Sequence, residues 1–314
     1  MKIGYIFPGQ GTQTVGMGKD IYEKFEEAKE VYKKIDNALG ENIEDLTYNS
    51  SQEELNETKN TQITIYAMSM AILEVLKNEG IQPAVAAGLS LGEYTALTCA
   101  GVLGLEDGAK IVRTRGRLMQ ELAPEGDWLM AAVIGLEDDE LKKVCEQVKS
   151  GFVRAVNYNC PGQVVVSGER AAVQEAMGLA KEAGARKVVE LKTSGPFHTE
   201  KLKEASEELE KELSKIEFHE GNIQVIKNFD GKAYEQGDDM VQILANHVIN
   251  PVKFRKSIET MLEMGVDTFV EVGPGKTLSG FVKKVCKEKE VEAKSLNIES
   301  VETLENALEI LRNA

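Results

Sequence analysis

Residues 88–92 read Gly-Leu-Ser-Leu-Gly, which is the spacing of a nucleophile elbow, where a serine is held on a sharp turn between a strand and a helix. An apolar run at residues 83–89 precedes the serine and a helical pattern follows from residue 91. The backbone N–H after the serine would then lie at a helix N-terminus, where it can stabilise an oxyanion. Ser90 is therefore a candidate nucleophile, and the alternative is an ordinary helix N-cap in a β–α loop.

A serine nucleophile needs a base, and the chain has 3 histidines, His198, His219 and His247. His219 lies in a charged segment and is predicted to be a surface residue, whereas His247 falls near the end of a predicted helix. His198 follows a predicted strand, in a loop of the kind that carries functional side chains in open α/β sheets. We therefore expect His198 to be the base, the alternative being a loop histidine with a structural role. No acid between Ser90 and His198 is marked as a third member, and backbone carbonyls of residues 247–250 can orient the imidazole instead.

A glycine-rich loop, Phe-Pro-Gly-Gln-Gly-Thr-Gln at residues 7–13, follows the first predicted strand. It lacks the lysine of a P-loop and the spacing of a dinucleotide fingerprint, so phosphate binding is not favoured. The backbone N–H of Gln10 is a better candidate for a second oxyanion donor. A plain β–α turn is the alternative.

Three arginines are closely spaced on a predicted helix at residues 106–122. Arg113 and Arg117 share a face at i, i+4 spacing, whereas Arg115 points elsewhere. A buried guanidinium needs a carboxylate or a comparable partner. Arg115 is therefore the candidate for binding a substrate carboxylate through both of its terminal nitrogens, and a solvated surface is the alternative for the whole group.

The order of predicted elements changes in the middle of the chain. Residues 1–125 and 194–314 alternate strands and helices, including one long helix at residues 18–39, and predict a parallel sheet covered on both faces. Residues 126–193 follow the order β-α-β-β-α-β, which is the ferredoxin-like signature. We expect an α/β protein whose large, discontinuous, α/β-hydrolase-like domain is interrupted by a small ferredoxin-like subdomain.

Composition narrows the possible partners. The 314 residues carry a formal net charge of −15, which makes nucleic acid an unlikely partner, and 42% are hydrophobic, which is ordinary for a globular protein. Neither a membrane span nor a signal peptide is apparent, and the 4 cysteines form no CxxC pair or Cys/His cluster. We expect a soluble, cytoplasmic monomer without a bound metal or redox cofactor.

Four separated motifs occur in a characteristic order: Phe-Pro-Gly-Gln-Gly at residues 7–11, Gly-Leu-Ser-Leu-Gly-Glu-Tyr at 88–94, Pro-Phe-His-Thr at 196–199 and Glu-Val-Gly-Pro-Gly-Lys at 271–276. Over almost the whole chain the sequence resembles the bacterial malonyl-CoA:acyl carrier protein transacylases of type II fatty acid synthesis. The resemblance implies an S-malonyltransferase with malonyl-CoA and a holo acyl carrier protein as partners. It also implies a ping-pong reaction through a serine ester. A discrete acyltransferase of a polyketide system, a serine thioesterase or hydrolase, and a non-catalytic acyl-binding subunit remain as alternatives.

The resemblance implies a role for each matched position. Ser90 would be the nucleophile and His198 its base, with the backbone N–H groups of Gln10 and Leu91 as the oxyanion hole. Arg115 would pair with the malonyl carboxylate. The remaining pocket positions would be Gln62 and Met119 beside the acyl group, Asn157 and Asn159 near the catalytic pair, and Phe197, a bulky ring that leaves little room for an α-methyl branch.

Carrier docking and two departures from the family pattern complete the expectations. Arg186 and Lys187 match a docking region suspected for the family, and the lysines at positions 283, 284 and 287 are a second candidate. The family usually has histidine where this chain has Leu89, which predicts altered packing. It often has glutamine, whose main-chain carbonyl holds the catalytic imidazole, where this chain has His247, and that carbonyl is kept.

Overall fold

Nine strands and fourteen α-helices occur in residues 1–193 and 195–312, the part of the chain that the computed structural model describes. The strands are β1 (Ile3–Phe7), β2 (Val85–Gly88), β3 (Trp128–Ile134), β4 (Val153–Cys160), β5 (Gln163–Glu169), β6 (Lys187–Glu190), β7 (Gln224–Ile226), β8 (Thr268–Val272) and β9 (Lys294–Ile298). The helices are α1 (Lys19–Lys24), α2 (Glu26–Leu39), α3 (Ile43–Tyr48), α4 (Gln52–Leu55), α5 (Thr58–Asn78), α6 (Gly92–Cys99), α7 (Leu105–Glu121), α8 (Asp138–Gln147), α9 (Arg170–Glu182), α10 (Lys203–Leu213), α11 (Met240–His247), α12 (Phe254–Glu263), α13 (Thr277–Lys289) and α14 (Val301–Arg312).

Five strands form a parallel sheet in the order β7-β2-β1-β8-β9. The central strand β1 is apolar on both faces, as expected of a parallel strand with helices on either side. Tyr5 and Phe7 pack into the core with residues of α2 and α5, and Ile6 between them packs with Phe254 and Phe281 on the other side. The carboxyl ends of β1 and β2 lie side by side, so the loops that follow them meet at one edge.

A second, antiparallel sheet has the order β4-β5-β3-β6, and α8 and α9 pack on it around their own apolar core. Strand β4 has register shifts between Ala155 and Asn157 and between Tyr158 and Cys160. There it bonds to the larger part of the molecule, since the Tyr158 N–H donates to the Val252 carbonyl at 2.8 Å. The irregular strand therefore joins the two sheets beside Asn157.

One predicted helix is wrong, and helix α3 and strand β9 were not predicted. The single helix predicted at residues 18–39 is broken at Phe25, whose φ of −111° and ψ of 122° are extended, so that α1 and α2 are separate helices. Phe25 packs against the main core, and this tertiary contact outweighs its helical periodicity. Strand β9 was not predicted at all, since its sequence Lys-Ser-Leu-Asn-Ile has only two apolar residues.

Within the described residues, no helix is both long enough and apolar enough to cross a membrane. The same residues contain no group of three or more His, Cys, Asp or Glu side chains that could hold a metal ion. All four cysteines are free.

Helix α7 approaches the first turn of α5 so closely that one position must be glycine. A Cβ on Gly116 would come within 2.9 Å of the Lys59 Cα and 3.0 Å of the Thr58 carbonyl oxygen. Both neighbours are backbone atoms, which cannot move aside as a flexible side chain does. The close contact brings Arg115, the preceding residue, against the buried face of α5.

We expect Gly116→Ala to lower the free energy of unfolding by about 1–2 kcal/mol, since overpacking outweighs the better helix propensity of alanine. Gly178→Ala is the matched control, because Gly178 also lies inside a helix but has nothing within 4 Å of an added Cβ. Gly178→Ala should therefore raise the free energy of unfolding by up to about 1 kcal/mol, because alanine has the better helix propensity. Urea unfolding measures both, and a shift of the same sign in the two variants would contradict the close α5–α7 contact.

Candidate active site

Ser90 lies at the turn between β2 and α6 with a φ of 54°, a left-handed conformation that is strained for a residue with a side chain. A Cβ on Gly88 would come within 2.0 Å of the Gly92 backbone, and one on Gly92 within 2.2 Å of the Phe7 carbonyl oxygen. Asn228 holds the turn from the end of β7: its Oδ1 accepts from the Ser90 N–H at 2.7 Å, and its Nδ2 donates to the Gly88 carbonyl at 2.6 Å. The two glycines and Asn228 together allow and fix the turn.

His198 faces this turn, with its Nε2 2.8 Å from Ser90 Oγ. Its Nδ1 lies 3.0 Å from the His247 carbonyl oxygen and 3.2 Å from that of Asn250. Carbonyl oxygens only accept hydrogen bonds, so the proton of the neutral ring is on Nδ1 and Nε2 keeps its lone pair toward the serine. The His198 N–H donates to the Val248 carbonyl at 3.0 Å, which fixes a backbone with a φ of 60°.

The His198 side chain is held neutral by its surroundings. Burial, and then the positive charge of Arg115, lower the pKa of His198 to about 4. At neutral pH the imidazole is therefore unprotonated and able to accept a proton from Ser90. The ring is oriented by backbone carbonyls in place of a carboxylate, so the arrangement is a dyad.

Arg115 is fully buried, and its Nη2 donates to Ser90 Oγ at 3.0 Å. Its Nη1 donates to Gln62 Oε1 at 2.6 Å, and the guanidinium lies 5.4 Å from the centre of the Tyr94 ring. Among the described residues, Nε has no hydrogen-bond partner and no carboxylate lies within ion-pair distance of the group. Burial lowers the pKa of Arg115, and the more distant side chains of Tyr94 and Glu93 oppose this shift only in part.

The two neighbouring arginines differ from Arg115 as their positions on the helix predict. Arg113 is ion-paired with Glu41, and Arg117 makes an exposed ion pair with Glu121. Arg115 is thus the one of the three whose charge faces the interior beside the candidate nucleophile.

A cavity of about 670 Å³ opens at this edge of the parallel sheet. All ten residues predicted for the catalytic pair, the oxyanion hole and the acyl pocket line it: Gln10, Gln62, Ser90, Leu91, Arg115, Met119, Asn157, Asn159, Phe197 and His198. Arg186 and Lys187, predicted for carrier docking, are exposed at the start of β6 and do not belong to the lining. Lys284 lies closer to the cavity, since it donates to the lining residue Gln163 at 3.0 Å.

The glycine-rich loop after β1 packs directly on the serine turn. A Cβ on Gly9 would come within 2.4 Å of the Leu89 carbonyl oxygen, so only glycine permits this approach. Neither the Gln10 N–H nor the Leu91 N–H is engaged by another described residue, which leaves both as donors at the cavity wall.

Sequence reasoning missed two residues that hold this site together, Asn228 and Glu93. Asn228 follows a parallel strand next to β2, and side chains at such strand ends commonly serve the site, so its position carried a usable signal. Glu93 is part of the motif at residues 88–94, yet its partners come from segments far away in sequence. The motif alone did not indicate them.

The fold and the site place this chain among α/β proteins in which a serine and a histidine contact each other beside a cavity at the edge of a parallel sheet. The model of the acyl transferase domain matches residues 4–305. The malonyl CoA-acyl carrier protein transacylase of Bacillus subtilis is 40% identical over 313 residues, 99% of this chain and 98% of that protein. That of Escherichia coli K12 is 41% identical over 286 residues, 90% of this chain and 93% of that protein.

Solved structures agree with the sequence comparisons. The malonyl CoA-acyl carrier protein transacylase of Clostridium perfringens is 44% identical and has a TM-score of 0.94, covering 100% of this chain and 98% of that one. A malonyl-transacylase in complex with its type II PKS acyl-carrier protein is 35% identical, also with a TM-score of 0.94, covering 99% of this chain and 100% of that one. The chain therefore belongs to the acyl transferase family and, within it, to the malonyl CoA-acyl carrier protein transacylases.

We expect the imidazole of His198 to remain neutral until the pH falls to about 4. Side-chain ¹⁵N NMR reports the titration, with the His198 signals assigned from a His198→Gln variant. In Arg115→Met protein the midpoint pH of the His198 titration should rise, because the positive charge that helps burial to lower the pKa of His198 has been removed. In Arg117→Met protein it should stay, since that guanidinium is exposed. A midpoint near the ordinary value of about 6.5 in the unmodified protein would contradict the buried, cation-facing imidazole.

Proposed function

We propose that this protein moves a malonyl group from coenzyme A to the phosphopantetheine thiol of a holo acyl carrier protein, through an ester on Ser90, and so supplies fatty acid synthesis. The observation that carries the proposal is Arg115, a fully buried positive charge 3.0 Å from Ser90 Oγ with no ion-pair partner among the described residues. An acyl group with its own carboxylate would neutralise this charge, whereas a simple fatty acyl group would leave it unpaired. The printed names of the relatives point to the same substrate.

The reaction consists of two half-reactions at one site. In the first, His198 Nε2 takes the Ser90 proton as Oγ attacks the thioester carbonyl, and the C–S bond breaks as the coenzyme A sulfur leaves with that proton. In the second, His198 takes the proton of the carrier thiol as its sulfur attacks the ester carbonyl, and the C–O bond to Ser90 breaks as Oγ leaves with that proton. The backbone N–H groups of Gln10 and Leu91 donate to the oxyanion in both steps. The 2.8 Å contact and the neutral imidazole support these roles.

Five further side chains shape the proposed acyl pocket. Gln62 and Met119 are almost fully buried and contact each other, with 3.5 Å between Nε2 and Sδ. The ring of Phe197 leaves little room for an α-methyl branch, which favours malonyl over methylmalonyl. Asn157 and Asn159 each have a buried Oδ1 without a hydrogen-bond partner in the described residues. These oxygens can accept hydrogen bonds from N–H groups of a bound substrate.

The finer architecture is part of the proposal. The strand order β4-β5-β3-β6 with two helices supports a ferredoxin-like subdomain at residues 126–193, and the serine turn on a parallel sheet supports a hydrolase-like larger domain at residues 1–125 and 194–314. Ser194, the first residue of its second segment, and residues 313–314 lie outside the described residues. A monomer and a cytoplasmic location stay predictions.

A second candidate carrier has support from one comparison. The similar malonyl-transacylase in the solved complex is bound to a type II PKS acyl-carrier protein, so a polyketide carrier is an alternative acceptor for the same chemistry. A serine thioesterase would share Ser90 and His198 but release malonate to water. Assays with carriers from both pathways, alongside an assay of malonate release, separate the three possibilities.

Incubation with malonyl-CoA followed by intact-mass measurement tests the covalent half-reaction. We expect one malonyl adduct on the unmodified protein and none on Ser90→Ala, and the adduct should disappear when holo carrier protein is added. Steady release of coenzyme A without an adduct would indicate a hydrolase. Absence of both adduct and release would contradict the malonyl proposal.

Replacing Arg115 by methionine, which keeps much of the volume, should lower kcat/KM for malonyl-CoA by about a hundredfold or more, as for a broken buried ion pair worth about 3 kcal/mol. For acetyl-CoA, which has no carboxylate, the loss should be within about tenfold. Arg117→Met, which removes an exposed arginine of the same helix, is the control and should leave both values unchanged. Equal losses for the two donors would show that Arg115 does not recognise the carboxylate.

Charge reversal at Arg186 and Lys187 tests the proposed docking of an acidic carrier on a protein of net charge −15. The double variant Arg186→Glu/Lys187→Glu should raise the KM for the carrier by about tenfold. Acidic groups of the carrier that Arg186 and Lys187 attract would be repelled by the two introduced carboxylates. The half-reaction with malonyl-CoA should not change. The control is Lys33→Glu/Lys34→Glu on α2, which alters the net charge equally at another exposed basic pair. An unchanged carrier KM in the first variant would exclude this docking site.

A further inference from the structure

A buried carboxyl group lies behind the catalytic pair, and the reaction described above does not use it. Glu93 is on α6, three residues beyond Ser90, with its side chain only 1% exposed. Its Oε2 lies 3.3 Å from Nδ1 of His247, whose side chain is also 1% exposed. An acid and an imidazole thus face each other inside the protein, out of contact with solvent.

One oxygen of Glu93 is tied to the serine turn. Glu93 Oε1 accepts a hydrogen bond from the Tyr234 hydroxyl at 2.6 Å and another from the Asn228 N–H at 3.3 Å. Asn228 is the residue whose side chain holds both the Ser90 N–H and the Gly88 carbonyl. The carboxyl group therefore supports the clamp on the turn.

The other oxygen faces the residue that orients the base. The backbone carbonyl of His247 accepts from His198 Nδ1–H, and the two imidazole rings lie 5.2 Å apart, centre to centre. Neither ring nitrogen of His247 makes a hydrogen bond of regular geometry to another described residue. A proton between Glu93 Oε2 and His247 Nδ1 would satisfy both atoms and fix the His247 ring, together with the carbonyl attached to it.

We propose that Glu93 is a positioning residue that ties the turn carrying Ser90 to the carbonyl that orients His198. The link to the turn is Asn228, and the link to the carbonyl is a proton shared with the side chain of His247. This inference rests on the function proposed above, because the property it affects is the transfer of the serine proton.

The surroundings of the Glu93 carboxyl group bring its pKa near neutral pH, so that its charge changes there. Burial raises the pKa of Glu93 to about 7, and Tyr234, Asn228 and Arg115 oppose the rise. Burial, and then His198 and Arg115, hold the pKa of His247 well below its usual range, so His247 stays neutral. The titratable and charged groups around Glu93 are Tyr94, Arg115, His198, Asp230, Tyr234 and His247.

The sign of the effect follows from the charge that forms during the reaction. Below about pH 7 Glu93 is protonated and donates to His247; above it the carboxylate accepts from His247. The Glu93 carboxylate polarises the His247 side chain, whose main-chain carbonyl accepts from His198 Nδ1–H, and so favours the imidazolium that forms when the serine proton is taken. The rate of ester formation should therefore rise as the pH passes through about 7.

The test is the pH profile of ester formation from malonyl-CoA, followed by rapid quenching and intact mass, with no carrier thiol present to titrate. In the unmodified protein kcat/KM should rise through about pH 7. Glu93→Gln, which keeps the shape but cannot ionise, should lack this step. It should match the unmodified protein within about twofold below the step and be about tenfold slower above it.

His247→Gln is the conservative second variant. Its amide N–H can donate to the Glu93 carboxylate and its backbone carbonyl is retained, so the step should remain. It should move to lower pH, since the amide stabilises the charged carboxyl group. A step that stayed at the same pH in this variant would contradict the shared proton.

Other results would also overturn the inference. A profile of the unmodified protein without a step near pH 7 would do so without reference to any variant. A Glu93→Gln protein slowed by the same factor at every pH would show that Glu93 has only a structural role. Absence of the malonyl ester at every pH would overturn the proposed function itself, and this inference with it. If the ester forms but the pH profiles of Glu93→Gln and the unmodified protein are parallel, only the positioning role of Glu93 is overturned.

Discussion

A buried positive charge that forms no ion pair with any of the described residues determines how this site works. Removing a guanidinium from water costs several kcal/mol, and around Arg115 that cost is partly offset by Gln62, Ser90, the face of Tyr94 and the more distant carboxyl group of Glu93. Burial, and then the same charge, lower the pKa of His198, which keeps the imidazole free to accept a proton. One buried cation therefore favours an acyl group that carries a carboxylate. It also helps to keep His198 neutral, so that the imidazole can accept the serine proton.

The backbone supplies the second constraint. Ser90 and His198 both have positive φ values, and each such residue costs about 1 kcal/mol or more unless its surroundings impose the conformation. Glycines on either side of the serine permit the turn, and Asn228 bonds to the Gly88 carbonyl and the Ser90 N–H. The histidine loop is held by carbonyls at the end of α11. Strain is thus concentrated where two side chains must meet at 2.8 Å.

Local patterns in the sequence indicated the centre of the cavity, with a serine between glycines and an arginine facing away from two others, and the family resemblance supplied the remaining predicted positions. It could not predict the contacts that join distant segments. Asn228 and Glu93 act across more than a hundred residues, and no spacing along the chain encodes such contacts. The break at Phe25 and the edge strand β9 were missed for a related reason, since tertiary packing outweighs local pattern in both.

The most direct test of the central claim is a crystal structure of the Ser90→Ala variant with malonyl-CoA bound. The account predicts that the malonyl carboxylate accepts hydrogen bonds from both terminal nitrogens of Arg115. The thioester carbonyl oxygen should lie within hydrogen-bond distance of the Gln10 and Leu91 N–H groups. A carboxylate directed toward solvent or toward Lys284, with Arg115 still bonded to Gln62 alone, would contradict it.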